Sequence, residues 1–521
     1  MRKLFFIILL ILSSQTGYTK NVSPLDFGLK KATNGEERFM ALYKAHSYAI
    51  NNGMGVDYKG IDRIDVTIPK DSPPIPLCKY NDFRGVIITV DSPYRNYSLF
   101  YMKSEAKRIA INEEDLDKDD FRKYPSLKKG TCLLLYEDAN PWVKERQGFN
   151  YGAVRRDIRA LKGGVAINKA VSEYSNKPFT NPQISYIESD DYLKIIKNLT
   201  IFRSSLSNNI VYCFSIIGQN NIEFNNIKIH TPDNSKMFGD AVFSIKNSTN
   251  VFFKEVLIDG TYSQENKYGY GISMDNVWNS SFYKLTADAK WGIFGCYNIN
   301  KCTIDHCNIN RFDIHCYGKD VYLKQTTLKD NYSQFSSVYG LIQYEDCTFY
   351  NYIPCLIESS FNAYVPFQLV IKNCIMHMTS DDKRNYLIDM GWPDSQRNER
   401  FELSEKSWPN VIIEGLDIFL PKEEKVFYLF YIHNNYIQET PIEYIKRIQI
   451  DSINFINNVD FELCNKNIWT SSELDISIKQ NDSSKAIVGD SGVISGTRKN
   501  ANSGFQELVS SFKVLLESLF K

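Results

Sequence analysis

From Ile196 to Phe455 one arrangement of apolar and polar positions recurs ten times: apolar, any, apolar, any, any, small or apolar, any, apolar. The clear copies are Ile222-Phe224-Ile227-Ile229, Val251-Phe253-Val256-Ile258, Cys302-Ile304-Cys307-Ile309, Val321-Leu323-Thr326-Leu328, Ile342-Tyr344-Cys347-Phe349, Leu369-Ile371-Cys374-Met376, Val411-Ile413-Leu416-Ile418 and Ile448-Ile450-Ile453-Phe455. Ile196-Leu199-Ile201 and Phe282-Leu285-Ala287 are weaker copies. Counted between the positions that follow the central pair, successive copies lie 28, 29, 29, 22, 19, 21, 27, 42 and 37 residues apart. The short spacings set a unit of about 20 residues, and the long ones add loop insertions. Each copy reads as two strand pieces of period 2 joined by a two-residue corner. A unit this short cannot bury its apolar row alone, so neighbouring units must stack. The pattern predicts an all-β chain, a right-handed parallel β-helix with about ten coils.

Outside the repeats the pattern changes. Asn34 with Glu37 three residues on forms a helix start, and Phe39, Leu42, Tyr43, His46, Ala49 and Ile50 follow at helical spacing until Asn51, Asn52 and Gly53 stop it. Ile64, Val66 and Ile68 then alternate as a strand, and Gly85–Val90 reads as another. A helix and strands ahead of the first coil are expected to close that end of the solenoid, because an open end of stacked strands needs a cover. The segment 113–129 is charged and predicts a surface helix or excursion, followed by an apolar strand over Cys132–Tyr136. Beyond the repeats, Ser483–Asn502 reads as a flexible linker, and Phe505, Leu508, Val509, Phe512, Leu515, Leu516 and Leu519 form an amphipathic helical stripe expected to fold back as a cap. The implied organisation is 1–20 as a signal peptide, 21–190 as N-terminal cap and first coils, 191–465 as the β-helix, and 466–521 as linker and C-terminal helix.

The first segment carries the compartment signal: Arg2 and Lys3, then an apolar run from Leu4 to Leu12, then a polar tail. This is the form of a secretory signal peptide, so export to the periplasm or medium is expected. No other stretch approaches the length of a spanning helix, and no membrane partner is expected. With 61 basic and 61 acidic side chains the charges balance, which removes a general attraction to nucleic acid. The eleven cysteines have no metal-ligand spacing. Cys307, Cys347 and Cys374 share one repeat position and should point inward as small apolar groups.

Candidate chemistry lies on the third strand of a coil, beyond the corner that follows each repeat. Val242–Ile245, Gly271–Asp275, Gly292–Cys296 and Arg311–Cys316 are the candidates. In the last, Arg311, Asp313 and His315 share one face of a strand while Phe312, Ile314 and Cys316 share the other. With the apolar side inward, the ionisable trio is expected to face solvent: Arg311 to neutralise an anionic group, Asp313 to orient, His315 to exchange a proton. Asp275, Lys290, Trp291, Tyr317 and Glu358 are expected beside the same groove as substrate contacts. The alternative is a ladder of ion pairs that only solubilises the coil. A second candidate crowds four arginines, Arg146, Arg155, Arg156 and Arg159, among Trp142, Phe149 and Tyr151, with the first three as substrate contacts. It is either a grip on an anionic sugar chain or a hairpin whose arginines pair with Glu137, Glu145 and Asp157.

The repeated Asn-x-x-Ile/Cys-x-Ile units, the helix-then-strand entry ending at Ile68 and Pro69, and the signal peptide resemble the pectate-lyase-like superfamily of exported carbohydrate-active β-helix proteins, over about Asn34 to Phe455. The resemblance implies a polysaccharide partner bound across the outer face of one sheet, and a lyase or glycoside hydrolase activity. The chain departs from the family where a Gly-Asp-Gly opening is usual, having Asn34 to Glu37 instead, and it lacks the motif set of the polygalacturonase-type hydrolases. The leading expectation is a polysaccharide lyase acting by β-elimination on a uronic-acid-containing glycan, with no cofactor, as a monomer. Calcium is used by some such enzymes, but no cluster of carboxylates here supports it. A glycoside hydrolase using Asp313 with Asp275 or Glu358, and a non-catalytic carbohydrate-binding or adhesin β-helix, are the alternatives.

Overall fold

The computed structural model describes residues 20–478, apart from 93–95, 140–142, 147–148, 154–155, 169–180, 204–209, 232–240, 261–269, 288–291, 315–317, 336–337, 358–366, 380–383, 390–408, 422–425, 432–446, 456–458 and 465–474. The expected signal peptide, the linker and the C-terminal amphipathic stripe lie outside the described residues. The chain divides into two compact units. The first comprises Met1–Glu137, Arg156–Glu173 and Lys177–Phe294, and the second Asp138–Arg155, Tyr174–Asn176 and Gly295–Lys521.

In the first unit the repeat positions become lateral neighbours in parallel strands. Ile196 pairs with Phe224, Phe224 with Phe253 and Phe253 with Phe282. After the corner, Ile201 pairs with Ile229, Ile229 with Ile258 and Ile258 with Ala287. A third row joins Phe214, Phe243 and Ile272, and beside it Ile216, Ile245 and Met274. Three parallel rows visited in turn, each strand bonded to the one a repeat later, make a closed parallel coil. Like residues fall on like residues because adjacent strands lie about 4.8 Å apart. Phe224 and Phe253 accordingly stack at 4.9 Å between ring centroids, as do Phe253 with Phe282 and Phe214 with Phe243.

The two-residue corner has a backbone cause. Its second residue lies in the left-handed region in coil after coil: Asn198 (φ 61°), Asn226 (52°), Glu255 (54°) and Lys284 (54°) in the first unit. Asparagine tolerates this region better than other non-glycine residues, and the Asn226 amide also donates to the Asn198 side chain at 3.0 Å.

The stack begins earlier than the first recognised copy. The strand Tyr80–Asp91 pairs in parallel with Lys194–Arg203, placing Val86 beside Leu199 and Ile88 beside Ile201. Arg63–Thr67 pairs with Tyr80–Asp91 in turn, with Ile64 beside Ile88. Gly85–Val90 is therefore a coil strand rather than part of a separate cover. Its repeat is masked in the sequence because a long insertion, residues 104–193, parts it from the next copy. The helix Gly35–Asn51 starts as expected, with the Asn34 side chain accepting from the Glu37 amide at 2.9 Å, and it buries Phe39, Leu42, Ala45, His46 and Ala49.

Much of the insertion is a five-stranded antiparallel sheet, in the order Val165–Ala166, Arg156–Lys162, Thr131–Glu137, Gln183–Ser189, Lys107–Arg108. One face packs Cys132, Leu134, Tyr136 and Leu161 with Phe121 and Leu127. The other packs Leu133, Leu135, Ile158, Ala160 and Ile187 with Trp278 of the coil strand Tyr270–Tyr283. The charged segment 113–129 supplies two single turns of 3₁₀-helix, Glu113–Asp115 and Pro125–Leu127, rather than a longer helix.

In the second unit the same registry holds over longer columns. Ile304, Leu323, Tyr344, Ile371, Ile413 and Ile450 pair in sequence, as do Ile309, Leu328, Phe349, Met376, Ile418 and Phe455. The left-handed corner recurs at His306 (53°), Gln325 (45°), Asp346 (53°), Asn373 (49°) and Gly415 (126°). Cys307, Cys347 and Cys374 are buried, as their repeat position requires. Pairing continues past the last recognised copy, where Asp475–Ile478 lies against Arg447–Phe455. Among the described residues no helix is long and apolar enough to cross a membrane.

Candidate functional site

The strand Phe312–Ile314 has the alternation expected of it. Phe312 pairs with Ser333, whose hydroxyl bonds the buried phenols of Tyr344 and Tyr352, and Ile314 pairs with buried Phe335, so this side faces the core. Arg311 and Asp313 take the opposite side, but they are not solvent-facing: Arg311 is 4% exposed and Asp313 fully buried. Arg311 Nε donates to the Asp313 carboxylate at 2.7 Å, another guanidinium nitrogen donates to the Gln334 side chain at 2.7 Å, and the guanidinium lies 4.3 Å from the centre of the Tyr332 ring. The expected open pair of ions is thus a buried one, bonded to its own neighbours. Strand alternation states which way a side chain points from the core, and is silent on what covers it from outside. His315, Tyr317 and Glu358 lie outside the described residues.

The first unit brings two other candidates together. Asp275 follows core-facing Met274 and so points outward, and Arg156 opens an inserted strand paired in register with Thr131–Glu137. Arg156 Nη1 lies 3.2 and 3.3 Å from the two carboxylate oxygens of Asp275, and its Nε donates to Glu137 at 2.8 Å. One guanidinium is shared by two carboxyl groups. The Asp275 side chain is only 14% exposed while that of Glu137 is 45% exposed. Burial pushes the Asp275 carboxyl above its ordinary range, against the opposing pull of Arg156 and of Lys246. Lys246 is the lateral neighbour of Asp275, one coil earlier.

From the sequence alone Glu137 reads only as a neutralising partner of the arginines, and Lys246 does not stand out. The signal for Lys246 was present, since it stands one repeat spacing, 29 residues, before Asp275. Arg146 lies in a hairpin strand, Val143–Arg146, that pairs antiparallel with Phe149–Ala153. Its side chain, together with Arg155, Lys290 and Trp291, lies outside the described residues. Among the described residues no group of three His, Cys, Asp or Glu side chains is placed to hold a metal ion.

Several solved structures have similar backbones. The tailspike Gp54 of Acinetobacter baumannii bacteriophage AP22, solved with A. baumannii capsular saccharide, matches over 86% of this chain and 77% of its own, with a TM-score of 0.50 and 12% identity. This likeness is one of fold, a parallel β-helix. The tailspike gp49 from Pseudomonas phage LKA1 matches over 89% of this chain and 79% of its own, with a TM-score of 0.49 and 13% identity. Gp61 of Pseudomonas phage phi297 matches over 86% and 83%, with a TM-score of 0.48 and 11% identity. No family model matches the chain, and no curated protein matches it in sequence.

Proposed function

We propose that the protein is an exported, right-handed parallel β-helix that binds a polysaccharide and hydrolyses its glycosidic bonds, with Asp275 as proton donor and Glu137 as the second carboxyl. The observation that carries this reading is the sharing of Arg156 between a largely buried carboxyl whose proton affinity is raised and a second carboxyl open to water. Glycoside hydrolysis needs such a pair, one carboxyl still protonated to give a proton to the leaving oxygen, the other ionised to activate water or attack. Arg156 orients both groups. The right hand follows from the general preference of parallel crossovers.

The lyase chemistry expected from the sequence needs a cation free to neutralise a uronate carboxylate. Arg311 is committed to Asp313 and Gln334, and Arg156 to Glu137 and Asp275, so neither supports that role. Binding without turnover remains the second reading, favoured by the same ion triad if it serves only to dock the inserted sheet on the coil. Incubation with pectate, alginate, hyaluronan and bacterial capsular polysaccharide separates the three. Hydrolysis releases reducing ends without ultraviolet absorbance, elimination releases absorbing products, and a pure binder is retained on the glycan and releases neither.

A further inference from the structure

The column of residues just after the left-handed corner reads Cys307, Thr326, Cys347, Cys374 and Leu416 through successive coils of the second unit, as the flanking pairs Asn308 with Thr327, Thr348 with Ile375 and Cys374 with Leu416 fix it. Along it, Cys347 and Cys374 are direct neighbours, while Thr326 separates Cys307 from Cys347. All three thiols are buried and in the reduced form. The Ile375 amide donates to the Cys347 carbonyl at 2.9 Å, so the two cysteines are held side by side by the ladder itself.

Neighbouring parallel strands set α-carbons about 4.8 Å apart, inside the roughly 4.4–6.8 Å that disulfides span. The two side chains leave adjacent strands at the same register position, on the same side. The Cys347 thiol donates to the carbonyls of Leu323, one coil earlier, and Glu345 at 3.4 Å, and the Cys374 thiol donates to that of Lys372 at 3.2 Å.

We propose that Cys347 and Cys374 are a modification site, closing to a disulfide that ties two successive coils when the chain folds in the presence of a disulfide-bearing oxidant. The two thiols lose two protons and two electrons as the S–S bond forms. The oxidant's own disulfide takes them up and leaves as two thiols. With 1% and 2% exposure the sulfurs are sealed once the coils have stacked, so the exchange belongs to folding and the finished bond is shielded from reductants. The inference stands apart from the proposed glycan chemistry, since it involves none of its residues.

The test refolds the full chain from urea with oxidised glutathione or with dithiothreitol, alkylates it in denaturant with N-ethylmaleimide, and maps the peptides without reduction. The expected result is a linked peptide joining Cys347 to Cys374 in the oxidised sample, absent after dithiothreitol. The oxidised protein should also unfold at higher urea, a shift abolished in Cys347→Ala and in Cys374→Ser. Either variant should leave the remaining cysteine of the pair fully alkylated. Full alkylation of both cysteines in the oxidised wild type, or cross-links spread over other thiols instead, would overturn the proposal.

Discussion

Arg311 donates to Asp313 at 2.7 Å in an ion pair in which neither side chain is more than 5% exposed. A pair removed from water in this way stabilises modestly as a whole, but removing one partner strands the other charge, at a cost of about 3–5 kcal/mol. Arg311→Ala is therefore expected to lower the urea midpoint severely. The double variant Arg311→Met with Asp313→Leu should be far less damaging, because no charge is left unpaired. Equal losses from the two would show that the pair is not buried in solution.

His46 is fully buried in the helix Gly35–Asn51, bonded through Nε2 to the Tyr58 hydroxyl at 2.8 Å and packed beside Phe83 and Phe100. Burial lowers its pKa to about 3 from an ordinary 6.5. The unfolded chain thus takes up a proton between those values that the folded chain refuses. The stability due to neutral His46 is complete above pH 6.5 and declines as pH falls towards 3, by at most about 1.4 kcal/mol per pH unit. Chemical denaturation of wild type and His46→Gln across this range should show the wild type's advantage shrinking with acid. A constant difference would mean that His46 is not sealed from water.

The left-handed corners predict an unusual substitution pattern. Asn226 has φ 52° and its amide bonds the Asn198 side chain. Asn226→Val places a β-branched residue in that region and deletes the bond, and should cost more than about 1 kcal/mol. Glu255→Gly, at φ 54° one coil later, should be close to neutral or stabilising. Thermal melting of the two variants checks the sign of each.

The coils were legible because their cause is periodic. Phe224, Phe253 and Phe282 are spaced 29 residues apart in the chain and stack in space, so spacing alone gave the register. Val86 and Ile88 obey the same rule but were hidden, since periodicity cannot be read across an insertion that folds as its own sheet. The sites were harder. The outward sense of Arg311 and Asp313 followed from alternation, whereas their burial depends on covering groups such as the Tyr332 ring that carry no signal on that strand. Arg156 and Asp275 were both singled out, but their meeting depends on contact between elements 119 residues apart, which no local pattern encodes.

The proposed chemistry assigns proton donation to Asp275, and Asp275→Asn tests it most directly. Asparagine keeps the size and can still accept from Arg156 through its one carbonyl oxygen, but it cannot deliver a proton. On a polysaccharide that the wild type hydrolyses, the variant should release reducing ends at least about 100-fold more slowly, the usual worth of a positioned general acid. It should still fold and bind the glycan. Undiminished turnover by Asp275→Asn, or products bearing an ultraviolet-absorbing double bond, would contradict the account.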